Sequence, residues 1–486
     1  MQISDRDLCR SAIVVGSGPN GLAAAITLAR AGCDVTVLES ESTVGGGMRS
    51  AELTRPGFVH DVCSAIHPMG VASSFFRALP LERFGLEWLH APVPLAHPLD
   101  DGAVVMDRSI DATAAALGAD EQAYHDVFGS LVRRSDRLLE SLLAPPLPPR
   151  HPLTMARFAY WGLRSARSLA RKRFRGERAR SLFAGLAAHS VISLDAPGSA
   201  SFGLVLGMLG HAAGWPFPRG GSQAIANALA RYLESLGGKI VTGQRVTWWK
   251  EVPPARVVMF DVTPLQLLKI AGNRLPSRYG RALANYRYGP AAFKIDWALS
   301  GPIPWRAAEC ARAGTVHVGG TLDEISASEQ AATSGAVPNR PFVLVAQPSR
   351  FDETRAPAGS HTAWAYCHVP NSSKVDMTER IERQMERFAP GFRDLILARH
   401  VFSPADLERY NPNYIDGDIV GGSNDLWQIL GRPMLRMNPY AMPVPGWYIC
   451  SASTPPGGGV HGMCGFNAAT SALKWLGTAD SSLRSE

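Results

Sequence analysis

The sequence predicts an α/β fold, and three stretches that lie far apart in the chain indicate it. Near the N-terminus, the β-branched apolar run SAIVVG precedes a glycine-rich turn and a helix of small residues. A helix-and-strand unit follows Trp215, and a second glycine cluster, PPGGGVHG, follows the apolar run GWYIC near the C-terminus. Strands of a parallel sheet are buried on both faces, so they appear as such short apolar runs.

Composition limits the class of protein. The 486 residues are 46% hydrophobic and 19% charged, which is typical of a globular chain with a large core. The net charge of +7 is mildly basic, and without a basic tail or zinc-finger spacing it does not indicate a nucleic-acid partner. No apolar run is long enough to span a membrane, and no signal peptide pattern is visible. We therefore expect a cytoplasmic protein.

The seven cysteines are scattered and odd in number, and they contain no C-x-x-C pair. This pattern indicates neither a disulfide framework nor a thiol–disulfide active site, and the spacing of zinc ligands is absent too. We therefore expect a reduced protein without a metal site.

The first glycine turn has the spacing G-x-G-x-x-G, with glycines at Gly16, Gly18 and Gly21. Gly16 permits the tight turn, Gly18 lets the backbone approach a pyrophosphate, and Gly21 lets the helix pack closely on the strand. The helix, from Asn20 to Ala31, offers free N–H groups to phosphate. A second strand, DVTVL, ends at Glu39, which can accept hydrogen bonds from ribose hydroxyls. Strand, turn, helix, strand and acid together predict a Rossmann-type dinucleotide site.

A further glycine cluster follows Glu39 directly, in the stretch ESESTVGGGMRS. The glycines suggest backbone close to more of the ligand, and Arg49 can neutralise a phosphate. The alternative is a surface turn with a solvated arginine.

The middle of the chain carries a proline-rich stretch, LLAPPLPPRHP, which predicts a linker or extended surface loop. The basic stretch after it places Arg164, Arg167, Arg171, Arg175 and Arg178 at helical spacing beside an apolar stripe. That stripe consists of Leu163, Ala166, Ala170 and Phe174. Such a helix suits an anionic membrane surface, and a solvated helix face is the alternative.

Residues 215–262 return the chain to an α/β pattern. A Gly220-Gly221 turn leads into a helix from about Ser222 to Leu236, and the strands KIVTG and RVVMFDVTP follow. A later stretch, Ala292 to Leu299, alternates as a strand. A second strand-GxGxxG-helix unit is missing, so we expect no separate NAD(P)H site and no efficient direct reduction by NAD(P)H. The glycine loops then serve one large ligand.

Taken together, AIVVGSGPNGLAAAITLARAG, VGGGMRS, PRGGSQAIANALARYLESLGGKIVTGQRV and YICSASTPPGGGVHGMCGFNAA resemble the phytoene-desaturase-like FAD flavoproteins. Flavin amine oxidases are more distant relatives of that family. The resemblance covers nearly the whole chain and looks closest to the group called pyridine nucleotide-disulfide oxidoreductase domain-containing protein 2.

The resemblance implies a discontinuous FAD-binding domain from residues 1–75, 215–262 and 401–486. The inserted α+β substrate domain would comprise residues 76–214 and 263–400, with a basic helical segment at 155–180. The residues that the resemblance and the fingerprint together assign to FAD are Gly16, Gly18, Pro19, Asn20, Gly21, Glu39, Gly46, Gly47, Met48, Arg49, Val246, Gly457, Gly458, Gly459, Val460 and Gly462.

Within this set, Val246 would present its backbone to adenine, and Gly457 to Gly462 would form the loop under the flavin ring. The chain departs from the family by having Ser451, Ser453 and Pro455 where glycines and a histidine are usual. That departure bears on how the ribityl chain of the flavin is contacted.

Three residues are candidates for acid–base work: His461 in the last loop, His67 in SAIHPM, and Lys294. For each histidine, a packed or surface residue is the alternative. No residue stands out for covalent attachment of the flavin.

The function expected from these observations is an FAD-dependent oxidoreductase that desaturates, saturates or isomerises C–C bonds of a largely apolar, polyene-like substrate. The alternatives are a non-catalytic escort protein of the same fold, which holds a lipid or lipidated partner, and an amine-oxidase-like flavoenzyme. No pattern in the sequence indicates an oligomeric state.

Overall fold

The structure is a computed structural model that describes residues 10–145 and 148–483. The first nine residues, including Cys9, lie outside the described part, as do two residues of the proline-rich stretch. The strands are β1 Ser11–Val15, β2 Asp34–Leu38, β3 Ser50–Ala51, β4 His60–Asp61, β5 Trp88–Leu89, β6 Val93–Leu99, β7 Gly102–Met106, β8 Phe217–Pro218, β9 Lys239–Val241, β10 Val257–Phe260, β11 Ala291–Leu299, β12 Ala313–Val318, β13 Val343–Ala346, β14 His361–Val369, β15 Ile396–Phe402 and β16 Trp447–Ile449.

The helices surround these strands. They are α1 Pro19–Arg30, α2 Pro68–Ala72, α3 Ser74–Arg77, α4 Ile110–Ala116, α5 Glu121–Arg133, α6 Ser135–Leu142, α7 Pro152–Gly162, α8 Ala166–Arg173, α9 Glu177–Ala188, α10 Ser199–Ala212, α11 Gln223–Ser235, α12 Pro264–Ala271, α13 Ser277–Ala284, α14 Leu322–Thr333, α15 Thr378–Phe388, α16 Pro404–Tyr410, α17 Leu426–Gly431 and α18 Met463–Leu483. Short 3-10 turns include Gly46–Met48 in the second glycine cluster.

The first sheet has five parallel strands in the order β16-β10-β1-β2-β9. Its central strand β1 pairs with β2 on one side, with Ala12 opposite Val35, and with β10 on the other, with Ala12 opposite Val257. Because all five strands run the same way, their carboxyl ends share one edge, which is where ligands bind in open α/β sheets. The expected α/β class with a Rossmann-type unit is confirmed.

The second sheet has seven strands in the order β15-β11-β14-β13-β12-β6-β7. Neighbouring strands are antiparallel except for β12 and β6, which are parallel. One core cluster fills the outer side of this sheet, around Phe293, Ile295 and Trp297. The other face looks toward the first sheet.

The C-terminal helix α18 packs directly on α1, the helix of the first glycine turn. Gly465 makes this contact possible, because an added Cβ there would lie 1.8 Å from the carbonyl oxygen of Asn20. The last helix therefore returns the C-terminal segment to the N-terminal unit. The domain boundaries given above remain a prediction.

The basic stretch that follows the proline-rich loop is not one helix but three, and this corrects the expected continuous stripe. Ser165 caps α8 by accepting a hydrogen bond from the backbone of Ser168, which breaks the chain direction after α7. The Asp120 carboxylate accepts from the backbone N–H groups of Arg175 and Gly176, at 2.7 and 2.6 Å, and separates α8 from α9.

The arginines of this stretch are largely paired within the protein. Arg167 and Arg171 both contact the Asp323 carboxylate, and Arg173 contacts Asp126. The apolar stripe is mostly internal as well, since Ala166, Ala170 and Phe174 are buried and only Leu163 is exposed. No helix among residues 10–145 and 148–483 is long and apolar enough to cross a membrane.

Candidate active site

A large cavity of about 740 Å³ lies between the carboxyl edge of the five-stranded sheet and the inner face of the seven-stranded sheet. Its walls come from stretches far apart in the sequence: the first glycine turn, the second glycine cluster, the stretch around Val246 and the C-terminal glycine loop. A cavity of this volume is in the usual range for cofactor and substrate sites.

The first glycine turn crosses the edge of the sheet where β1 ends. Gly16 has a positive φ of +100°, and an added Cβ on Gly21 would lie 2.1 Å from the carbonyl oxygen of Gly16. These two positions therefore require glycine, and their packing brings the N-terminus of α1 against the cavity. Gly18, Pro19 and Asn20 line the cavity beside them.

Glu39 lies at the end of β2, lines the cavity and is only 4% exposed. One carboxylate oxygen accepts from the backbone N–H and the hydroxyl of Ser17, at 2.9 and 2.5 Å. The other accepts from the backbone of Glu41 at 2.9 Å and the hydroxyl of Ser40 at 3.2 Å. The loop thus orients the carboxylate with four donors, two of which are rotatable serine hydroxyls.

Asp261 was missed at the sequence level, although it lies at the centre of this turn. It follows β10, lines the cavity, and accepts a hydrogen bond of 2.8 Å from the backbone N–H of Gly21. Burial raises the pKa of the Asp261 carboxyl to about 7, the N–H of Gly21 opposes that rise, and the nearby Glu39 charge adds to it. Its only sequence signal is its position directly after an apolar strand.

The second glycine cluster touches the first. An added Cβ on Gly46 would lie 3.1 Å from the Cα of Gly18, so the two turns share one surface. Gly46 and Gly47 line the cavity, whereas Met48 is fully buried in the core. The side chain of Met48 therefore does not line the cavity, and only its backbone could contribute to the predicted FAD site.

Arg49 lines the cavity, is 7% exposed and stacks over the Tyr410 ring at 4.9 Å. No carboxylate among the described residues forms an ion pair with it, and its Nε has no protein partner. A buried guanidinium without an acid is the arrangement that suits a phosphate. Val246 lines the cavity two residues after Gln244, whose backbone N–H donates to the carbonyl oxygen of Glu39 at 2.8 Å.

The C-terminal glycine loop follows β16 and leads into α18. Gly457 and Gly459 have φ values of +118° and +130°, and an added Cβ on Gly458 would lie 2.7 Å from the carbonyl oxygen of Val420. Gly457, Gly458, Gly459 and Val460 line the cavity, and Gly462 begins the turn into the helix. The loop therefore offers bare backbone to a ligand.

His461 is buried, and both of its ring nitrogens are occupied by this loop. Nδ1 accepts from the backbone N–H of Met463 at 3.0 Å, so Nε2 carries the proton and donates to the carbonyl oxygen of Gly457 at 3.2 Å. Burial lowers its pKa to about 4, so the ring is neutral. Its catalytic role remains a prediction, and its two hydrogen bonds hold the two ends of the loop together.

A second buried cation, Arg432, was also missed from the sequence. It is 1% exposed, lines the cavity, and donates to the carbonyl oxygens of Ala452 and Ser423 and to the side chain of Asn424, at 3.1, 3.3 and 3.0 Å. Its guanidinium lies below Gly457, 3.1 Å from where a Cβ would be. It contacts the glycine loop at Gly457.

His67 lines the cavity at the N-terminus of α2. The hydroxyl of Ser222 donates to the carbonyl oxygen of Ser64 at 2.6 Å, so it accepts from His67 Nε2 at 2.8 Å. Nδ1 is then the free acceptor of a neutral ring, because burial lowers the pKa to about 4. Of the three acid–base candidates, His67 is the one with an uncommitted nitrogen beside the cavity.

Lys294 is not among the residues that line the cavity. It lies on β11, pairs with Asp296 two residues along, and is register-matched to Tyr366, which does line the cavity. Both faces of β11 are buried, so the alternation seen in the sequence does not mark a solvent face. Burial lowers the pKa of Lys294 and raises that of Asp296 to about 6.

The remaining part of the cavity, called here the apolar arm, extends toward helices α6, α7 and α10 and strands β13 and β14. Its lining side chains include Leu142, Leu143, Met155, Phe158, Val205, Leu206, Leu344, Trp364 and Tyr366. Among the described residues that line the whole cavity, the only carboxylates are Glu39 and Asp261, both at the glycine turn. No cluster of three or more potential metal ligands occurs within residues 10–145 and 148–483.

Fold and site together define an α/β protein with a Rossmann-type unit and a second sheet on the other side of the cavity. The first segment, residues 14–79, matches the model of the NAD(P)-binding Rossmann-like domain. Over 94% of its length the chain is 26% identical to pyridine nucleotide-disulfide oxidoreductase domain-containing protein 2 of Mus musculus, covering 92% of that protein. It is likewise 26% identical to phytoene desaturase (neurosporene-forming) of Rhodobacter capsulatus, over 93% of this chain and 92% of that one.

Among solved structures, a putrescine oxidase triple mutant redesigned for cofactor binding superposes with a TM-score of 0.63. The match has 16% identity and covers 96% of this chain and 99% of the other. The resemblance predicted from the glycine motifs is confirmed by these comparisons, and the structural match shows the same fold. The similar proteins bear the names of oxidoreductases.

Proposed function

We propose that the protein is an FAD-dependent oxidoreductase that desaturates, saturates or isomerises C–C bonds of a largely apolar substrate. The observation that carries this proposal is one cavity with two halves. Glycine loops from residues 16–21, 45–47 and 457–459 meet in one half, and apolar side chains line the other. The relatives named as oxidoreductases support the reaction class.

The residues of the first half fit FAD by their chemistry. Gly16, Gly18 and Gly21 leave room for a pyrophosphate at the N-terminus of α1, and Arg49 supplies an unpaired cation. A ribose diol would replace the two serine hydroxyls at Glu39, and Val246 would adjoin the adenine. When bound, FAD supplies the hydride chemistry that no side chain of the protein provides.

The C-terminal loop would lie beneath the flavin ring, where Gly457 to Gly459 present backbone without side chains. The N-terminus of α18 and the loop N–H groups favour negative charge at the ring. His461 and Arg432 hold the loop in shape. His67 presents its free Nδ1 toward the cavity, where it can accept a proton or hydrogen bond, and the apolar arm excludes water from the bound substrate.

The experiment that tests the proposal is an absorption spectrum of the purified protein with extraction of the bound cofactor. We expect a yellow protein with one non-covalently bound FAD per chain. Gly18→Val should lose the colour, because an added Cβ would already lie 2.7 Å from the Asp261 carboxylate. Gly280→Val is the matched control, since its added Cβ has nothing closer than 3.6 Å. A colourless wild-type protein that ignores added FAD would favour the escort alternative.

The amine-oxidase alternative is less well supported by the cavity. A substrate ammonium group would be stabilised by a carboxylate or by an aromatic cage. The cavity-lining carboxylates of the described chain lie only at the glycine turn, away from the apolar arm. Turnover of simple amines by the holoprotein, measured as peroxide release, would reverse this preference.

We also propose that the protein contacts a membrane through the rim of the apolar arm, not through the paired arginines of α8. Helices α7 and α17 contribute both to the cavity lining and to an exposed apolar surface. Gly198 links them, because its N–H bonds the Leu163 carbonyl oxygen and an added Cβ would contact Leu426. The exposed rim consists of Leu153, Tyr160, Leu163, Trp427, Leu430, Leu435 and Met437.

A lipid surface suits this rim, since an apolar substrate partitions into lipid and the rim adjoins its binding cavity. Exposed Arg157 and Arg436 flank the apolar side chains and favour anionic headgroups. The double variant Leu153→Ser/Trp427→Ser should sediment less with anionic vesicles while retaining FAD. Leu236→Ser/Trp248→Ser, exposed outside the rim, is the control. Equal sedimentation of both variants would contradict the rim proposal.

A further inference from the structure

Arg432 is a buried cation whose hydrogen-bond partners in the protein are all uncharged. It is 1% exposed, and its guanidinium donates to the carbonyl oxygens of Ala452 and Ser423 and to the side-chain oxygen of Asn424. The amide of Asn424 is itself oriented, because its nitrogen donates to the carbonyl oxygen of Ser190 at 3.1 Å. No carboxylate among the described residues forms an ion pair with Arg432. Its positive charge is therefore hydrogen-bonded but not neutralised.

The acids in the stretch before Arg432 have other partners. Asp418 is fully buried, and its two oxygens accept four hydrogen bonds of 2.8–3.1 Å from backbone N–H groups. The donors are Gly289, Val420, Gly421 and Gly422. Asp425 pairs with Arg287 at 2.6 Å. Neither acid is an ion-pair partner of Arg432, so the charge remains available to a ligand.

The guanidinium lies against the C-terminal glycine loop. Its Nη1 is 3.1 Å from the position that a Cβ on Gly457 would occupy, and both residues line the cavity. Because Gly457 has no side chain, the loop is thin at this point. A buried charge acts across such a layer without touching the ligand, since a low dielectric constant screens it weakly.

The other two titratable side chains that bond Gly457 are neutral. His461 Nε2 and the Cys464 thiol both lie within hydrogen-bonding distance of the Gly457 carbonyl oxygen, at 3.2 and 3.3 Å. Burial lowers the pKa of His461 to about 4 and raises the pKa of Cys464 to about 12. Of these three neighbours of Gly457, only Arg432 carries a charge.

A buried charge without a counter-charge is costly, and an anion on the cavity side of the loop would offset that cost. The proposed function supplies such an anion, because it assigns this loop to the flavin ring. Oxidised flavin is neutral in its ring, and a hydride adds two electrons and one proton. The ring therefore gains one negative charge on reduction, and a fixed cation nearby favours the reduced form over the oxidised one.

We propose that Arg432 stabilises the anionic reduced flavin through its charge and thereby raises the reduction potential of the bound FAD. This inference rests on the proposed function. In a desaturation, one C–H bond of the substrate gives its electron pair and proton to the flavin as a hydride. The neighbouring carbon loses a proton to water or a base, and the electron pair of that C–H bond forms the C=C bond. Saturation is the reverse, so the potential decides which direction is favoured.

The size of the effect follows from Coulomb's law. At an effective dielectric constant of about 20, unit charges about 10 Å apart change an equilibrium constant about tenfold. A tenfold change in the ratio of affinities for reduced and oxidised flavin is about 30 mV for a two-electron couple. We expect wild type to hold FAD at a potential above that of free FAD in the same buffer, and Arg432→Gln to lower the potential of bound FAD about 30 mV.

Two further variants separate charge from shape. Arg432→Lys keeps the charge but loses the planar fork of donors, whereas Arg432→Gln keeps N–H donors and loses the charge. We expect the lysine variant to stay close to the wild-type potential. Arg49→Gln is the matched control, because Arg49 is also buried, lines the cavity and has no ion pair with a described carboxylate. It should weaken FAD binding without changing the potential, since the diphosphate has the same charge in both redox states.

The experiment uses the holoprotein and its variants. Each is reduced stepwise and anaerobically with dithionite beside a reference dye, at one fixed pH, and the absorbance of flavin and dye gives the potential. The affinity for oxidised FAD is measured separately by titration of the apoprotein. The potential is the decisive quantity, because a loop that had only lost its shape would bind both redox states more weakly.

Three outcomes would overturn the inference. They are a wild-type potential at or below that of free FAD, an unchanged potential in Arg432→Gln, and a fall in Arg432→Lys as large as in Arg432→Gln. Should the glutamine variant lose FAD altogether, the potentials of wild type and Arg432→Lys decide, since both must lie above that of free FAD. A wild type without flavin absorbance would instead contradict the proposed function, and the inference would fall with it.

Discussion

The Asp261 carboxyl should make FAD binding depend on pH, and Asp261→Asn should remove that dependence. Asp261 bonds the N–H of Gly21 in the turn that we assign to the pyrophosphate, and burial raises its pKa from 3.8 to about 7. A bound pyrophosphate favours the protonated, neutral carboxyl, because the ionised form would face like charge. FAD binding is therefore tightest where Asp261 is protonated.

The size of the effect follows from the shift. A rise of the Asp261 pKa by about three units corresponds to about 4 kcal/mol of preference for the neutral carboxyl in the folded protein. A carboxyl whose pKa is raised by folding stabilises the fold below its unfolded pKa of about 4 and loses that contribution as the pH rises to about 7. Above pH 7, each further unit should weaken FAD binding up to tenfold, which is about 1.4 kcal/mol.

The assay titrates apoprotein with FAD between pH 6 and 9 and follows quenching of flavin fluorescence. Wild type should show a Kd that rises with pH above about 7. Asp261→Asn should show a flat profile and tighter binding at pH 9, because the amide keeps the acceptor for Gly21 and adds no charge. Asp34→Asn, on an exposed carboxylate at the start of β2, is the control. A flat profile in wild type, or an equal slope in Asp261→Asn, would refute the reasoning.

Three further predictions concern the flavin end of the cavity. Gly458→Val should weaken FAD binding at least tenfold, about 1.4 kcal/mol, or lower the reduction potential of the flavin. The reason is that the added Cβ would lie 2.7 Å from the carbonyl oxygen of Val420. Unchanged affinity and potential, measured by titration, would show that the loop does not lie under the flavin ring. His461→Ala should retain FAD and slow turnover. It should also lower the free energy of unfolding by about 1–3 kcal/mol for each of two buried groups left unpaired, the Gly457 carbonyl and the Met463 N–H. Unchanged stability in denaturant unfolding would argue against a structural role of His461. Low NADPH should not rapidly bleach the flavin in an anaerobic stopped-flow experiment, and rapid bleaching would show that a second nucleotide motif is not needed.

The glycine turns could be predicted from the sequence because their requirement is local. Gly16 needs a positive φ, and Gly21 and Gly458 need the absence of a Cβ, so the residue type itself records the geometry. The apolar runs of β1, β10 and β16 likewise record burial on both faces, and the predicted parallel arrangement followed from them.

The basic stretch and Lys294 show what local patterns omit. Helical spacing of arginines predicted one amphipathic helix, but the Asp120 carboxylate interrupts it and Asp323 pairs with two of its arginines from a distant part of the chain. Lys294 lies on a strand whose sequence alternates, yet both faces of β11 are buried, because Phe293 and Trp297 pack in one core cluster and Ala292 packs in another.

The sequence by itself determined the fold class and the positions of the glycine loops, and its prediction of one large dinucleotide ligand stays a prediction. The tertiary structure alone decided that Asp261 contacts the first turn and that Arg432 contacts the last one. The physical reason is that Asp261 meets Gly21 across 240 positions of sequence, and Arg432 meets Ala452 across 20. Only the pairing and register of the strands bring those neighbours within hydrogen-bonding distance.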